Sequence, residues 1–238
     1  MTRFLLGIAP AIMISLTAPA VAAPVLDQSN FYVFGEGEVA RTSIHHNTGL
    51  DSRQFQTVTA GIGGLLTRVD LQLARFDGPT GDYLVRIYNG VRDEAGATLV
   101  AEVTLSTAGL PFPDAVKAGA FTQIDLSAYG FMVSEDQVFS IELSVPDYAI
   151  VGFGWVLGEL GPDLDEFGEP VLHASIYDRG FARGSITVPG DPFDFQPRAL
   201  DRMFRTFVDP AFAVPEPAAL ALFGLGLACL GIVRRRRG

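Results

Sequence analysis

The sequence of 238 residues contains a single cysteine, Cys229, which lies in an apolar run near the C-terminus. No intramolecular disulfide can therefore form, and a domain of this size must be stabilised by its hydrophobic core. Common catalytic signatures are also missing, because there is no Gly-x-Ser-x-Gly elbow, no His-Glu-x-x-His motif and no Walker loop. We therefore expect a protein that is not an enzyme and that needs no catalytic cofactor.

Basic residues are scarce in the central part of the chain. The whole chain has a formal net charge of −10. When Arg3, the arginines at 234–237 and Glu216 are set aside, 12 basic and 26 acidic residues remain, which is a net charge of −14. A body with this charge is repelled by phosphate backbones and by anionic lipid. Nucleic acid is thus excluded as a partner.

The N-terminal residues have the pattern of a secretory signal peptide. Arg3 provides a positive charge, residues 4–16 are mostly apolar, and Ala20-Val21-Ala22 is a small-x-small cleavage pattern. We therefore predict a signal helix over residues 1–22, cleaved after Ala22 by signal peptidase. Export of the remaining chain follows from this assignment.

An uncharged apolar stretch of 16 residues, 218–233, lies close to the C-terminus. As a helix rising about 1.5 Å per residue it spans about 24 Å, slightly less than a hydrocarbon core of about 30 Å. Arg234, Arg235, Arg236 and Arg237 follow it directly, and such a cluster stops transfer and stays cytoplasmic. We expect a single transmembrane helix that anchors the chain in the inner membrane, with the body outside the cytoplasm.

Pro215, Glu216 and Pro217 precede this apolar stretch. Together with the helix and the arginines, they resemble the PEP-CTERM sorting signal of Gram-negative bacteria that produce exopolysaccharide. The resemblance covers residues 213–238 and implies recognition by an exosortase, with cleavage near the Pro-Glu-Pro motif. Transfer to the cell surface or extracellular matrix would follow. A plain tail anchor that is never processed is the open alternative.

The body, residues 23–212, shows repeated alternation of apolar and polar residues without a helical stripe of apolar residues. This pattern predicts an all-β fold, an antiparallel β-sandwich of about eight to ten strands with one strand face in the core and the other in water. The inward residues of the three longest runs are predicted to be Thr67, Val69, Leu71 and Leu73; Leu99, Ala101, Val103 and Leu105; and Phe139, Ile141, Leu143 and Val145.

Four segments of the body, 53–59, 64–73, 78–88 and 138–143, are similar to the jelly-roll modules of bacterial surface proteins. Those modules resemble carbohydrate-binding sandwiches, so the resemblance implies a jelly-roll-like fold and makes polysaccharide a candidate partner. Aromatic residues that could stack on sugar rings are Phe31, Tyr32 and Phe34, or Trp155 and Tyr177. However, the spacing of Trp155 from its apolar neighbours favours a place in the core.

The densest group of carboxylates comprises Asp163, Asp165, Glu166 and Glu169. Carboxylate oxygens suit Ca²⁺, but the EF-hand register fails because Phe167 and Ala174 occupy ligand positions. A solvated acidic loop and a structural calcium site therefore both remain open. The adjacent pair His45 and His46 is interpreted as solvated loop residues, with a metal site as the minor alternative, and the isolated His173 is interpreted as structural.

These patterns together predict an exported, non-catalytic protein of the cell surface or extracellular matrix, with carbohydrate binding as a hypothesis. Two alternatives remain open: a glycan-active hydrolase and a calcium-dependent structural adhesin.

Overall fold

The structure is a computed structural model that describes residues 23–32, 34–35, 38–44, 51–75, 79–145, 153–164, 170–174, 177–187, 194–198 and 200–210. These residues form fifteen strands in chain order. The strands are β1 (Val25–Asn30), β2 (Glu38–Ile44), β3 (Asp51–Thr59), β4 (Gly64–Leu71), β5 (Leu73–Arg75), β6 (Asp82–Asn89), β7 (Thr98–Ser106), β8 (Thr122–Asp125), β9 (Met132–Val133), β10 (Val138–Ser144), β11 (Phe153–Leu164), β12 (Pro170–Ala174), β13 (Ala182–Thr187), β14 (Gln196–Arg198) and β15 (Phe204–Asp209).

The strands form three sheets, and every pairing among the described residues is antiparallel. The six-stranded sheet has the order β14-β13-β3-β10-β6-β7. The five-stranded sheet has the order β1-β15-β4-β8, with β9 also paired to β4. The four-stranded sheet has the order β12-β11-β2, with β5 paired to β11.

Helical structure is sparse in the part of the chain that the structure describes. It comprises one short helix, α1 (Pro113–Lys117), and two 3-10 turns, Thr107–Gly109 and Ser127–Tyr129. The predicted all-β antiparallel class is therefore confirmed. The strands outnumber the predicted eight to ten, and three of the fifteen, β5, β9 and β14, have only two or three residues, too few to show alternation in sequence.

One hydrophobic core joins the sheets face to face. It contains Val69 and Leu71 of β4, Ile87 of β6 and Ile141 of β10, all of them fully buried. Trp155 of β11 lies in the same core, so the four-stranded sheet also contributes to it. The described body is thus a sandwich in which the six-stranded sheet packs against the other two.

The outward faces of the strands differ from the prediction. Asp70 and Gln72 of the β4–β5 region, and Ser140, Glu142 and Ser144 of β10, were expected in water, but all five are buried. Arginine side chains from the same or neighbouring strands contact three of these positions: Arg86 contacts Glu142 and Ser144, and Arg68 and Arg205 contact Asp70. Alternation therefore marks two different buried environments in these strands, one apolar and one polar.

A β-bulge corrects a second expectation, the inward position of Leu99. The β6–β7 register pairs Ile87 with Ala101 and Tyr88 with Leu99, so Val100 is the extra residue. Leu99 shares the face of Tyr88 and remains half exposed (50%). Val103 and Leu105, which were also predicted to point inward, are partly buried and pack against the core.

The first and the last strands of the body pair with each other. Val25 of β1 lies opposite Val208 of β15, and Asn30 lies opposite Phe204. Because the pairing is antiparallel, the start of β1 and the end of β15 meet at one end of the five-stranded sheet. The two predicted processing segments, 1–22 and 213–238, therefore join the body at the same end, although both lie outside the described residues.

Candidate functional site

The outer face of the six-stranded sheet is organised around Glu142. Residues directly opposite on neighbouring strands share a face, and Glu142 lies between Phe55 of β3 and Arg86 of β6. Its carboxylate, fully buried, lies 3.1 Å from Nη1 of Arg86 and 2.5 Å from Nε of Arg92. Arg86 also contacts Glu102, at 2.6 Å. One buried negative charge is thus held between two guanidinium groups, which is the arrangement that makes such burial tolerable.

Aromatic rings surround this ion-pair network. The guanidinium carbon of Arg92 lies 4.4 Å from the ring centre of Tyr88 and 5.7 Å from that of Phe195. Phe55 contacts Phe195 edge to face, with ring centres 5.0 Å apart, and Phe181 at 6.4 Å. Burial raises the pKa of the Tyr88 hydroxyl above its usual value. The rings and guanidiniums therefore form one continuous polar–aromatic surface.

The rim of this surface is more open. Phe181 is 37% exposed, and the guanidinium of Arg183 lies 4.9 Å from its ring centre. Arg183 also forms an ion pair with Asp93, so its charge is partly balanced. Planar rings and fixed guanidiniums are groups that contact sugar rings and carboxylates in other proteins. We name Phe181, Arg183 and Asp93 the aromatic rim.

Arg202 is buried at a separate position, between the sheets. Its Nε donates to Oε1 of Gln54 at 3.0 Å and its Nη1 donates to the carbonyl of Leu200, whereas its Nη2 has no hydrogen-bond partner among the described residues. Its backbone N–H donates to Gln56, which itself donates to Asp201. Burial lowers the pKa of Arg202 to about 10, so the side chain is still charged at neutral pH. This cluster fixes the loop before β15 against β3.

A third charged group lies on the outer face of the five-stranded sheet. Asp70, fully buried, lies 2.9 Å from Nε of Arg68 and 3.1 Å from Nη2 of Arg205. Each guanidinium stacks on a ring at 3.8 Å, Arg68 over Phe207 and Arg205 over Phe121. Desolvation raises the pKa of the Asp70 carboxyl, although the two arginines act in the opposite direction. These ion pairs and ring contacts hold β4 and β15 together and have a structural role.

The aromatic residues proposed from sequence divide into buried and exposed ones. Trp155 is fully buried and its Nε1 donates to the carbonyl of Met203 at 2.9 Å, so the predicted core position is confirmed. Tyr177 is also buried, and its hydroxyl donates to Gln28, which excludes this pair as a sugar-stacking platform. Phe31 is 53% exposed, but Tyr32 and Phe34 pack edge to face with each other, at 5.6 Å, against a small cluster around Val39 and Met203.

The residues proposed to bind calcium are only partly covered by the structure. Asp163 belongs to β11, whereas Asp165, Glu166 and Glu169 lie outside the described residues, in the connection from β11 to β12. Within the described part of the chain, no three His, Cys, Asp or Glu side chains are grouped closely enough to hold a metal ion. Calcium binding at Asp163–Glu169 therefore stays a prediction, as does the interpretation of His45 and His46, which are also outside.

The sorting residues Pro215, Glu216 and Pro217 and the arginines at 234–237 lie beyond the last described residue of the body. The predicted transmembrane helix at 218–233 and the signal helix at 1–22 lie outside as well. Among the residues that the structure does describe, no helix is long and apolar enough to cross a bilayer.

The described body is an antiparallel β-sandwich whose buried carboxylates Asp70 and Glu142 are each paired with two arginines. Residues 213–237, which follow it, match the family model of the PEP-CTERM protein-sorting motif. The chain therefore carries a PEP-CTERM sorting motif, which implies export and membrane-associated sorting to the cell surface by an exosortase. Comparisons with curated proteins and with solved structures give no match.

Proposed function

We propose that this chain is a non-catalytic protein of the cell surface or extracellular matrix, delivered there by its PEP-CTERM motif. The signal segment 1–22 starts export, the apolar segment 218–233 holds the acidic jelly-roll-like body outside the inner membrane, and an exosortase then cuts near Pro215-Glu216-Pro217. The observation that carries this proposal is the match of residues 213–237 to the sorting motif.

The physical properties of the segment support the order of events. Two prolines at 215 and 217 deny the chain helical hydrogen bonds on the outer side of the membrane, so a membrane-bound protease meets an extended peptide with a single carboxylate, Glu216. The arginines at 234–237 keep the other end in the cytoplasm. An anchor of this kind holds the body at the membrane until it is cut.

The proposal is tested by fractionating cells with and without the exosortase. With the enzyme present, the body should leave the inner membrane and reach the surface fraction, whereas without it the full chain should stay in the membrane. Glu216→Ala should reproduce the loss of release, and Glu94→Ala, an exposed carboxylate in the body, is the matched control. Release that does not depend on the exosortase would contradict the proposal and favour a plain anchor.

Carbohydrate binding is a second candidate, and the aromatic rim is the observation that favours it. Phe181 is an exposed ring, and the guanidinium of Arg183 lies over it. Full-length chain in detergent should be retained by immobilised polysaccharide, and Phe181→Ala should weaken retention. Phe112→Ala is the control, because Phe112 is similarly exposed (47%) and also lies under an arginine, Arg75, elsewhere on the body. No retention on neutral or acidic polysaccharides would remove this candidate.

The calcium-dependent adhesin remains a narrower alternative. A structural calcium ion held by Asp163, Asp165, Glu166 and Glu169 should raise the melting temperature in Ca²⁺ relative to EDTA, and Asp165→Asn should abolish the rise. Equal melting temperatures under both conditions would exclude it. The glycan-hydrolase alternative needs two carboxylates that reach the substrate from opposite sides; Asp70 and Glu142 do not qualify, because each is buried between two arginines.

A further inference from the structure

Apolar side chains are exposed at one end of the five-stranded sheet. Val25 and Leu26 of β1 are 43% and 48% exposed, and Met132 of β9 is 39% exposed. Leu65 of β4 lies directly opposite Met132 and is half buried, and Ile62 in the preceding turn is also partly exposed. We call these five residues the apolar end.

The strand register places the apolar end where the chain leaves the body. Val25 lies opposite Val208, and Leu65 lies opposite Asp209, the last residue of β15. On the other side of β4, Leu65 lies opposite Met132 of β9. Exposed apolar residues therefore lie on both sides of the point at which β15 continues toward residues 213–237.

The length of the connection limits how far this end can be from the apolar segment. Residues 210–217 join Asp209 to the start of that segment. Fully extended, they reach at most about 30 Å, and any bend shortens the distance. The start of β1 is at the same end, so the end facing the membrane is the same before and after the signal peptide is removed.

We propose that the apolar end rests on the lipid surface of the membrane in which the sorting segment is anchored, and that this contact orients the sandwich before the exosortase acts. The proposal rests on the anchoring described under Proposed function. Burial of Val25, Leu26 and Met132 against lipid removes apolar surface from water, which favours the contact. The tether makes even a weak contact effective, because the connection keeps the body close to the bilayer.

The net charge of the body indicates which lipid headgroups are compatible with the contact. The body carries an excess of carboxylates, and Glu135 and Asp136 lie in the turn after β9, with Asp136 paired to Arg179. An acidic body is repelled by anionic headgroups, so the contact must depend on apolar burial rather than on attraction between charges. Zwitterionic phosphatidylcholine vesicles are therefore the appropriate probe, and added anionic lipid should weaken the contact.

The test places an environment-sensitive fluorophore at single positions in the full chain, reconstituted in phosphatidylcholine vesicles that contain nitroxide-labelled lipid. In a Cys229→Ser background, Met132→Cys reports on the apolar end and Phe31→Cys reports on the opposite end of β1, where Phe31 is similarly exposed. Labelled Cys229 in the unmodified chain reports on the anchor. Lipid quenching at position 132 should exceed that at position 31 by at least about twofold.

Leu26→Gln should reduce the quenching at position 132 without changing that of Cys229. Phe31→Gln, the matched control, should leave both unchanged. Quenched Cys229 with equal, weak quenching at positions 132 and 31 would overturn the contact while the anchor stands. Unquenched Cys229 would instead contradict the anchor itself. Quenching at position 132 that appears only when protein is crowded in the vesicle, with cross-linked dimers, would assign the apolar end to a second copy and overturn the lipid proposal.

Discussion

Val25 lies directly opposite Val208, so the first strand of the body is paired with its last. β15 is in turn paired with β4, which places the last strand inside the five-stranded sheet and not at its edge. The sheet therefore cannot be completed until β15 has crossed the membrane. Residues 213–237, which match the sorting motif, follow β15, so the strand that completes the sheet is the one that precedes this motif.

Glu142→Gln should destabilise the sandwich strongly. The variant leaves the guanidiniums of Arg86 and Arg92 without their shared buried charge, and breaking a buried ion pair in this way costs about 3–5 kcal/mol. Urea denaturation followed by circular dichroism measures the free energy of unfolding. Glu102→Gln is the control, since that carboxylate is 44% exposed and should cost at most about 1 kcal/mol. Equal losses for both variants would show that Glu142 does not organise this face.

Asp70 should make the stability depend on pH in the acidic range. Because its pKa is raised from 3.8 in the folded state, the folded chain binds the proton more tightly than the unfolded chain. The stability that this tighter proton binding provides is fully present below pH 3.8 and is lost as the pH rises through the raised pKa of the folded state. Relative to Asp70→Asn, the unmodified chain should therefore gain stability on acidification, as measured by urea denaturation at several pH values.

Asp125 provides the opposite case. The hydroxyl and the backbone N–H of Ser127 donate to its carboxylate and lower its pKa, so its contribution is present above pH 3.8 and is lost as the pH falls through the lowered value. Relative to Asp125→Asn, the unmodified chain should lose stability on acidification. The account of Asp70 is contradicted if its substitution gives the same sign as that of Asp125.

Gly64→Ala should disrupt the junction between β4 and the end of β15. Gly64 has φ = +152°, and a Cβ at this position would lie 2.4 Å from the carbonyl oxygen of Asp209. Backbone cannot move away as a flexible side chain can, so we expect a loss of about 3 kcal/mol or more in the free energy of unfolding. Gly96→Ala is the control: its φ is +99°, but nothing lies within 4 Å. It should cost only about 1 kcal/mol.

Trp155→Phe should weaken the core and remove a buried hydrogen bond. The indole Nε1 donates to the Met203 carbonyl, and the side chain is fully buried, so the substitution removes volume and one of the two hydrogen bonds that this carbonyl accepts; the backbone N–H of Gln72 donates the other. We expect a loss of about 2 kcal/mol in the free energy of unfolding, measured by circular dichroism. Phe112→Leu, at an exposed position, should change it by no more than about 0.5 kcal/mol. A neutral Trp155→Phe would contradict the core assignment.

Local patterns predicted much of the fold. The alternation of Phe139, Ile141 and Leu143 correctly places one face of β10 in the core, and the phase of Trp155 correctly places that ring inside. The dipeptide Asn89-Gly90, which is a common turn signal, lies where β6 ends, with Gly90 at φ = +91°. Each of these signals depends only on residues that are neighbours in sequence, which is why a single sequence is sufficient to find them.

The charged clusters could not be predicted in this way. Glu142 forms ion pairs with Arg86 and Arg92, which are 56 and 50 residues away in sequence. Asp70 of β4 forms an ion pair with Arg205 of the neighbouring strand β15. No local spacing identifies such partners, so the polar side of β10 was assigned to water. The bulge at Val100, which moves Leu99 to the other face, could not be predicted either. A change of register is a property of the strand pair and not of one strand.

The most direct test of the account is the intact mass of the protein recovered from the cell surface. Cleavage after Ala22 and near Pro215-Glu216-Pro217 predicts a body that begins at Ala23 and lacks the apolar segment 218–233 and the four arginines, and that is absent from the surface of cells without the exosortase. A surface protein that retains residues 218–238, or a chain with both ends intact in the cytosol, would contradict it.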